Sequence, residues 1–299
     1  MPKLKEIIAR ALNRRIRVLG DDDPLFDKLY DNRYRWMKLD NLKVSPRIHR
    51  AILAKRQLVD DFSLRYDKRL ALIVPFRNRE AHLEQLLPKL TERLRQENIE
   101  YKIFVVDQSD DNLFNRGKLI NVGAAIAGDA FDYFCLHDVD MLPMDCSYGY
   151  PSAPLRLYSS IISNEGTREV SSVCFGGMVS ISREHFTAVN GFSNEFWHWG
   201  KEDDNFLLRL LLSGLNPAVD AQGTFAEIDN SSDRHRPVVE GQVTEDKTLG
   251  ETYTDRNRQY QYKAARGLIP LFDEGLSSAT FELIEKTEHE QYTRLRVRL

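Results

Sequence analysis

Strands and helices alternate through the middle of this sequence, and the alternation restricts the fold more than any other feature. Residues 70–74, 102–106 and 133–136 are short apolar runs with the length and composition of buried strands. Residues 79–97 and 114–126, which lie between them, have the apolar spacing of helices. Helices that connect successive strands predict a parallel sheet with right-handed crossovers. The sequence therefore predicts an α/β fold.

Polar residues follow each of the three predicted strands. Parallel sheets bind ligands at the carboxyl ends of their strands, so these residues are predicted to line one pocket. The clusters are Arg77-Asn78-Arg79, Asp107-Gln108-Ser109 and Asp138-Val139-Asp140. Arginine guanidinium groups suit phosphate or a uracil carbonyl, although a solvated turn would have the same composition. At the start of the next helix, Lys118 and the backbone N–H groups could meet phosphate, but the glycine pattern of a P-loop is absent.

Two carboxylates, Asp138 and Asp140, stand directly after the third strand. Side chains two residues apart on an extended chain point to opposite faces, unless the chain turns, as residues 141–143 suggest here. One carboxylate could then hold a divalent cation while the other binds a neighbouring group. Many loops contain two such acids without any chemistry, so the metal site is a hypothesis at this point.

A run of aromatic and acidic residues at 196–204 is the most unusual stretch of the chain. The indole rings of Trp197 and Trp199 could stack on the C–H surface of a sugar, and carboxylates could accept hydrogen bonds from its hydroxyls. Glu202, Asp203 and Asp204 also open a predicted helix over 203–212, whose positive end favours ionised acids. The alternative is an acidic helix cap behind two buried aromatics, but a cap needs only one acid.

Histidines near these acids are candidates for a second metal ligand. His235 lies in a polar segment, and imidazole together with carboxylate and phosphate oxygens suits manganese. A lone loop histidine is usually only solvated. His137 and His198, each close to an acid, are rivals on spacing alone.

Composition excludes some partners. The formal charge of −3, from 42 basic and 45 acidic residues among 299, gives no overall field to attract a polyanion, so nucleic acid is not predicted as a partner. The three cysteines lack metal-ligand spacing and are typical of a reducing compartment. No apolar run approaches the roughly 18 residues of a membrane span. We therefore expect a cytoplasmic protein.

The N-terminal segment has a basic amphipathic pattern over residues 3–19. Such a helix could make peripheral contact with the inner face of an anionic membrane, or it could pack on its own domain. The alternating residues at the other end of the chain, 278–299, predict a β-hairpin.

Several segments, in order along the chain, resemble the β-1,4-galactosyltransferase family of inverting glycosyltransferases, including its xylosylprotein galactosyltransferase branch. They are VPFRNREAHL at 74–83, FNRGKLINVG at 114–123, HDVD at 137–140, FGG at 175–177, NGF at 190–192 and WHWGKEDD at 197–204. The resemblance implies a Rossmann-like fold of the GT-A type, with a mixed, largely parallel sheet flanked by helices. It implies a catalytic domain over 68–299, preceded by a helical extension over 1–67.

The resemblance also implies a UDP-sugar donor, usually UDP-galactose, and Mn²⁺. Phe76 and Arg77 would hold uridine, Asp138 the ribose side and Lys118 the UDP moiety. The full set implied for the donor is Pro75, Phe76, Arg77, Arg79, Lys118, Asp138, Val139, Cys174 and Gly177.

The remaining roles implied by the resemblance concern the metal, the acceptor and the base. Asp140 would ligate the metal. Trp199 would contact sugar, and Glu202 and Asp204 would bind acceptor or donor hydroxyls. Asp203 would be the base that deprotonates the acceptor hydroxyl, and one base suffices for a single inverting displacement.

Three departures from the family pattern bear on function. The distal metal segment lacks its usual Met-x-x-His or His-x-His form, so His235 and, more weakly, Asp233 are predicted as ligands. Lys201 stands where glycine is usual. Cys174 replaces an aromatic residue, which leaves room for an N-acetyl group and predicts UDP-N-acetylgalactosamine as an alternative donor. Without a membrane anchor, we expect a cytosolic enzyme that uses a saccharide or glycolipid acceptor for surface polysaccharide or glycolipid synthesis.

Two other functions remain open from the sequence. A glycan- or nucleotide-binding protein could keep the fold with little or no turnover, as Lys201 and the altered metal segment would allow. A nucleotidyltransferase also uses a carboxylate-held metal against a nucleotide, but it would not need Trp197 and Trp199.

Overall fold

A computed structural model describes residues 63–170, 174–228 and 247–299. The predicted N-terminal extension lies almost entirely outside these ranges, as do Asp233 and His235. Within the described ranges, no helix combines the length and apolarity needed to cross a bilayer.

An eight-stranded mixed sheet forms the centre of the described structure, in the order β11-β7-β10-β4-β2-β3-β14-β13. Strands β2, β3 and β4 are parallel, as predicted, and β10 and β7 continue the sheet in antiparallel register. The bounds are β2 Arg69–Phe76, β3 Glu100–Gln108, β4 Tyr133–Leu136, β7 Leu155–Arg156, β10 Val179–Ser182, β11 Ala218–Val219, β13 Glu282–Glu288 and β14 Thr293–Arg298. The predicted mixed, largely parallel α/β fold is confirmed.

Helices cover both faces of this sheet because its central strands are apolar on both sides. On β2, Leu70 and Leu72 pack against the first helix, whereas Ala71 and Ile73 pack against the second. The period-two alternation of side chains thus supplies two cores from one strand. The helices are α1 Glu80–Gln96, α2 Arg116–Ala127, α3 Arg183–Ala188, α4 Glu202–Leu212 and α5 Lys247–Ala265, with short 3-10 turns at Gly128–Ala130 and Leu276–Ser278.

A smaller sheet, in the order β5-β12-β8-β9, was not predicted. Its strands are β5 Met141–Asp145, β12 Thr224–Glu227, β8 Ser160–Ser163 and β9 Gly166–Glu169, and a separate strand pair joins β1 Leu64–Arg65 to β6 Tyr150–Pro151. The turn suggested at 141–143 is therefore wrong. The chain turns at Val139 and Asp140 and then enters β5.

The predicted C-terminal hairpin is present as β13 and β14. Strand β14 pairs in parallel with β3, so the hairpin extends the large sheet. Arg294 fixes it, with Nε donating to Asp107 Oδ2 at 3.0 Å and Nη2 donating to Glu80 Oε1 at 2.8 Å.

Candidate active site

The guanidinium of Arg116 contacts the predicted site segments at the carboxyl edge of the large sheet. Arg116, in the first turn of α2, donates from Nε to Asp138 Oδ1 at 2.7 Å and from Nη1 to Asp203 Oδ1 at 3.1 Å. Its Nη2 donates to the Gly177 carbonyl at 3.1 Å. Asp138 follows β4 and Asp203 opens α4, so three distant segments meet here. The sequence assigns no role to Arg116, because the acids that it contacts are 22 and 87 residues away along the chain.

Asp203 lies against a backbone position that only glycine can occupy. A Cβ at Gly176 would be 1.9 Å from Asp203 Oδ2, which is far inside contact distance. The hydroxyl of Tyr158 donates to the Gly176 carbonyl at 3.1 Å and fixes this stretch of backbone. Gly177 has a φ of 70°, and a Cβ there would meet the same hydroxyl at 2.7 Å. The FGG segment thus makes a close-fitting seat for the carboxylate.

The surroundings of Asp203 shift its pKa in opposite directions. Burial raises its pKa well above the usual range for aspartate, Arg116 acts in the lowering direction, and the neighbouring Glu202 and Asp138 raise it further. Burial likewise raises the pKa of Glu202, against the influence of Arg116. About a third of the Asp203 side chain, 32%, is exposed, so an incoming molecule can reach the carboxylate. A carboxyl with this environment is suited to taking up a proton.

The predicted uridine-binding residues are already engaged with the protein. Arg77 donates to the carbonyls of Asn112 at 2.7 Å and Asp110 at 3.0 Å, so it fixes the loop after β3. The Phe76 ring is fully buried, with the Arg294 guanidinium carbon 5.0 Å from its centroid. These contacts make both residues part of the pocket wall, and their predicted contact with uridine stays a prediction.

The other residues assigned to the donor lie on the same edge of the sheet. Pro75 is buried at the end of β2, and Val139 is buried in the turn after β4. Arg79 caps the start of α1 and lies beside His82, with 3.4 Å between Nη1 and the ring Nε2. Cys174 is half-buried and its carbonyl accepts a hydrogen bond from Arg156. Its predicted position beside the donor sugar stays a prediction.

Lys118 is a buried cation on α2. Its side chain is largely withdrawn from solvent, and burial lowers its pKa. The ammonium lies 5.9 Å from the centroid of the Trp197 ring. No carboxylate among the described residues forms an ion pair with it. An ammonium placed in this way is available to a bound anion such as a diphosphate.

Two carboxylates of the kind that a metal site needs belong to residues at the junction of the two sheets. Asp140 is half-buried, and its carbonyl accepts a hydrogen bond from Ile228 N at 2.9 Å. Glu227, at the end of β12, is paired with Met141, the residue next to Asp140. The Glu227 carboxylate is fully buried, and Arg168 lies 3.8 Å away. Carboxylate oxygens suit Mn²⁺, so Asp140 and Glu227 fit the predicted metal.

The sequence predicts the distal ligand at Asp233 or His235 and does not single out Glu227 as a candidate. Those two residues lie outside the described ranges, and their assignment stays a prediction. The described part of the chain contains no cluster of three or more metal-ligating side chains. The available signal for Glu227 was an acid in an otherwise half-buried alternating strand.

The two rival histidines have structural contacts. Both ring nitrogens of the fully buried His137 are engaged, with Nε2 3.0 Å from the Tyr148 hydroxyl and Nδ1 2.8 Å from the Asp138 carbonyl. Burial lowers the pKa of His137 to about 4, which keeps it neutral. His198 adopts a φ of 65° and donates its backbone N–H to Phe114. His137 is therefore a packing residue and not a metal ligand.

The predicted acceptor side is the open side of the site. Trp199 is 55% exposed, unlike the half-buried Trp197, so its indole can be reached from solvent. Lys201 has a φ of 79° at the N-cap of α4, and its Nζ lies 2.9 Å from Asp204 Oδ2. Asp204 is thus paired with a lysine, which stands at the position where the family usually has glycine. Glu202 and Asp204 flank Asp203 at the start of the helix.

Comparison with known proteins agrees with this geometry. Residues 62–152 match the sequence model of the N-terminal region of glycosyl transferase group 7, and residues 156–228 match that of the N-terminal domain of galactosyltransferase. Drosophila melanogaster β-1,4-galactosyltransferase 7 is 38% identical over 56% of this chain and 54% of its own length. Human β-1,4-galactosyltransferase 1 is 30% identical over 77% of this chain and 54% of its own length. The chain spans about half the length of these relatives.

A solved structure gives the same result in three dimensions. A mutant of the Drosophila β-1,4-galactosyltransferase 7, in complex with manganese, UDP-Gal and xylobiose, superposes with a TM-score of 0.61 at 31% identity and covers 77% of this chain and 94% of that chain. The fold is therefore that of the GT-A type glycosyltransferases. The chain belongs to the β-1,4-galactosyltransferase family. The predicted family is confirmed by these relatives, and the manganese complex of the Drosophila protein agrees with the predicted enzyme class and cofactor.

Proposed function

We propose that this chain is a Mn²⁺-dependent inverting galactosyltransferase that moves galactose from UDP-galactose to a sugar hydroxyl of a glycan acceptor. The observation that carries the proposal is the contact of Arg116 with both Asp138 and Asp203. It places a carboxyl suited to accept a proton beside the donor-binding edge of the sheet. A relative bound to UDP-Gal, manganese and xylobiose supports the same substrate classes.

The chain's own residues account for a single displacement. Asp203 takes the proton of the acceptor hydroxyl, whose oxygen bonds to the anomeric carbon from the face opposite UDP. The bond from that carbon to the diphosphate oxygen breaks, and UDP leaves with the electron pair. The buried ammonium of Lys118 stabilises the departing diphosphate.

The metal would be held by Asp140 and Glu227. When bound, Mn²⁺ supplies positive charge that favours departure of the diphosphate. At the sheet junction these carboxylates would supply oxygen ligands, and the buried position of Glu227 would limit the access of water to the site.

Four residues support a more detailed proposal for the donor and the acceptor. Cys174 is smaller than the aromatic residue usual in galactose-specific relatives, so UDP-N-acetylgalactosamine is the second donor to test. The exposed Trp199 and the paired Lys201 and Asp204 favour a saccharide acceptor that stacks on the indole and donates hydroxyls to the acids. A glycolipid acceptor would agree with peripheral contact of the basic N-terminal segment with the cytoplasmic face of a membrane.

A donor screen tests the proposal. The purified chain with Mn²⁺ is given UDP-galactose, UDP-N-acetylgalactosamine, UDP-glucose or UDP-N-acetylglucosamine, each with a panel of saccharide acceptors that includes xylosides. We expect UDP release that requires both the metal and an acceptor, highest with UDP-galactose. Tight binding of UDP and Mn²⁺ without transfer to any acceptor would instead favour a binding protein. Release of pyrophosphate from a nucleoside triphosphate would favour a nucleotidyltransferase.

A further inference from the structure

The guanidinium of Arg116 is shared by two acids that have different roles. Asp138 belongs to the donor side and Asp203 is the proposed base, and the two hydrogen bonds are 2.7 and 3.1 Å long. The third contact is to the Gly177 carbonyl in the FGG seat. The Arg116 side chain is 14% exposed, so little solvent competes for these bonds.

We infer that Arg116 is a positioning residue that aims Asp203 at the acceptor and favours its ionised form, and that it links the placement of Asp203 to that of Asp138. The inference rests on the proposed function, since it concerns the base of that reaction. Asp203 and Asp138 are held from one rigid group at a helix start, so moving either acid disturbs the other.

The charges around Asp203 show why the cation is needed. Glu202 and Asp204 face it from α4, Asp138 faces it from the end of β4, and the Tyr158 hydroxyl lies on the side of the FGG seat. Lys201, the next cation on α4, is paired with Asp204. Within the described residues, Arg116 is the one cation in ion-pair contact with Asp203. Without it, the base would stand among like charges, and its pKa would be higher still.

The shape of the arginine side chain is as important as its charge. Its planar fork offers Nε, Nη1 and Nη2 in fixed directions, and the three donate to three different acceptors. A lysine ammonium on a flexible stem would meet at most part of this set with the same geometry. We therefore expect Arg116→Lys to keep the positive charge at this position but to lose the alignment of the two acids.

The test compares Arg116→Gln and Arg116→Lys with Arg209→Lys as a matched control. Arg209 is a fully buried arginine on α4, with Nη2 2.6 Å from Glu274, and it lies outside the site. The pH dependence of kcat is measured with saturating UDP-galactose and Mn²⁺, together with the melting temperature of each variant. We expect the acid limb to move upward by about 1–3 pH units in Arg116→Gln, the range of shift that a neighbouring arginine causes. In Arg209→Lys, the melting temperature falls and the acid limb stays in place.

A second measurement needs no turnover. Carboxyl ¹³C NMR of selectively labelled aspartate, with Asp203→Asn for assignment, gives the pKa of Asp203 directly in the wild type and in Arg116→Gln. A higher pKa in the variant supports the inference. Equal pKa values, or a loss of rate by one factor at all pH values, would show that Arg116 has only a structural role. Absence of transfer by the wild type would overturn the proposed function, and the NMR titration would still decide the role of Arg116.

Discussion

Three acids open α4, and each of them has different surroundings. Asp203 contacts Arg116 and rests against Gly176, whereas Asp204 is paired with Lys201. Glu202 is close enough to Arg116 and Asp138 for both to affect its pKa. Successive helical residues point about 100° apart, so three adjacent acids cannot all face one substrate group. The contacts, and not the residue types, favour Asp203 over its neighbours as the proposed base.

Replacing Asp203 separates proton transfer from donor binding. Asp203→Asn keeps the shape of the side chain but cannot take a proton, so we expect kcat to fall by roughly 10²–10⁴. UDP affinity in the presence of Mn²⁺ should stay near the wild-type value. Steady-state rates and calorimetry on one preparation measure both quantities, with the exposed Asp129→Asn as a control. Retained turnover would move the base to Glu202 or Asp204.

His137 makes the stability of the protein depend on pH. Its pKa of about 4 in the folded state lies below the ordinary value of about 6.5, so the fold favours the neutral ring. The stability contributed in this way is complete above pH 6.5 and is lost as the pH falls toward 4, by at most about 3 kcal/mol. Chemical unfolding between pH 4 and 7 should therefore show a flatter dependence for His137→Gln than for the wild type. Parallel curves would mean that His137 titrates normally.

At the scale of elements, the central strands were predictable and the smaller sheet was not. Strands β2, β3 and β4 are continuous apolar runs buried on both faces. This pattern can be recognised in the sequence of each strand without knowing which strands pair with it. The strands of the smaller sheet have four or five residues and mixed polarity. Pro143 suggested a turn, but β5 is an edge strand, where a missing N–H is tolerated.

The site was predictable in its segments but not in its contacts. The order of the motifs predicted that Asp138, Asp203 and Gly177 lie close together, because strand ends and helix starts meet at one edge of the sheet. The contacts of Arg116 and the register that brings Glu227 beside Met141 depend on packing across long sequence distances. Such contacts have no local pattern that a single sequence could show.

The seat formed by the FGG segment predicts a sharp effect of one methyl group. In Gly176→Ala, the new Cβ would overlap the Asp203 carboxylate, so the base must move. A displacement of about 1 Å at a catalytic group costs roughly 10²-fold in rate, and we expect such a loss with little change in melting temperature. Gly128→Ala is the control for backbone strain: nothing lies within 4 Å of a Cβ there, but its φ of 62° disfavours alanine, so the melting temperature should fall while kcat is kept. Equal rates in both variants would show that Asp203 does not act from its observed position.

At the scale of the whole molecule, the junction of the two sheets joins the donor edge to the proposed metal site. Asp138 follows β4 of the large sheet, and Asp140 precedes β5 of the smaller one. Only Val139 separates them, and its side chain is buried. A shift of one sheet against the other would therefore change the distance between the metal and the ribose side of the donor.

Calorimetry of UDP with and without Mn²⁺ tests this junction. Asp140→Ala should abolish the metal-dependent part of UDP binding, and Glu227→Gln should weaken it by more than the roughly 10–100-fold that residues around a metal's ligands contribute. Glu169→Gln, an exposed acid on β9 of the same sheet, is the control. An effect of His235→Ala larger than that of Glu227→Gln would place the distal ligand at His235, and unchanged binding in Asp140→Ala would contradict the metal site.

The position of β14 has a consequence for how the chain folds. This strand completes the pairing of β3, and the residues that meet there, such as Arg294 and Asp107, are 187 positions apart. Contacts between such distant residues are slow to form because a long loop must close first. Until β14 arrives, β3 has an unpaired and largely apolar edge. Aggregation during refolding should therefore begin at β3, and a peptide with the sequence of β14 should suppress it.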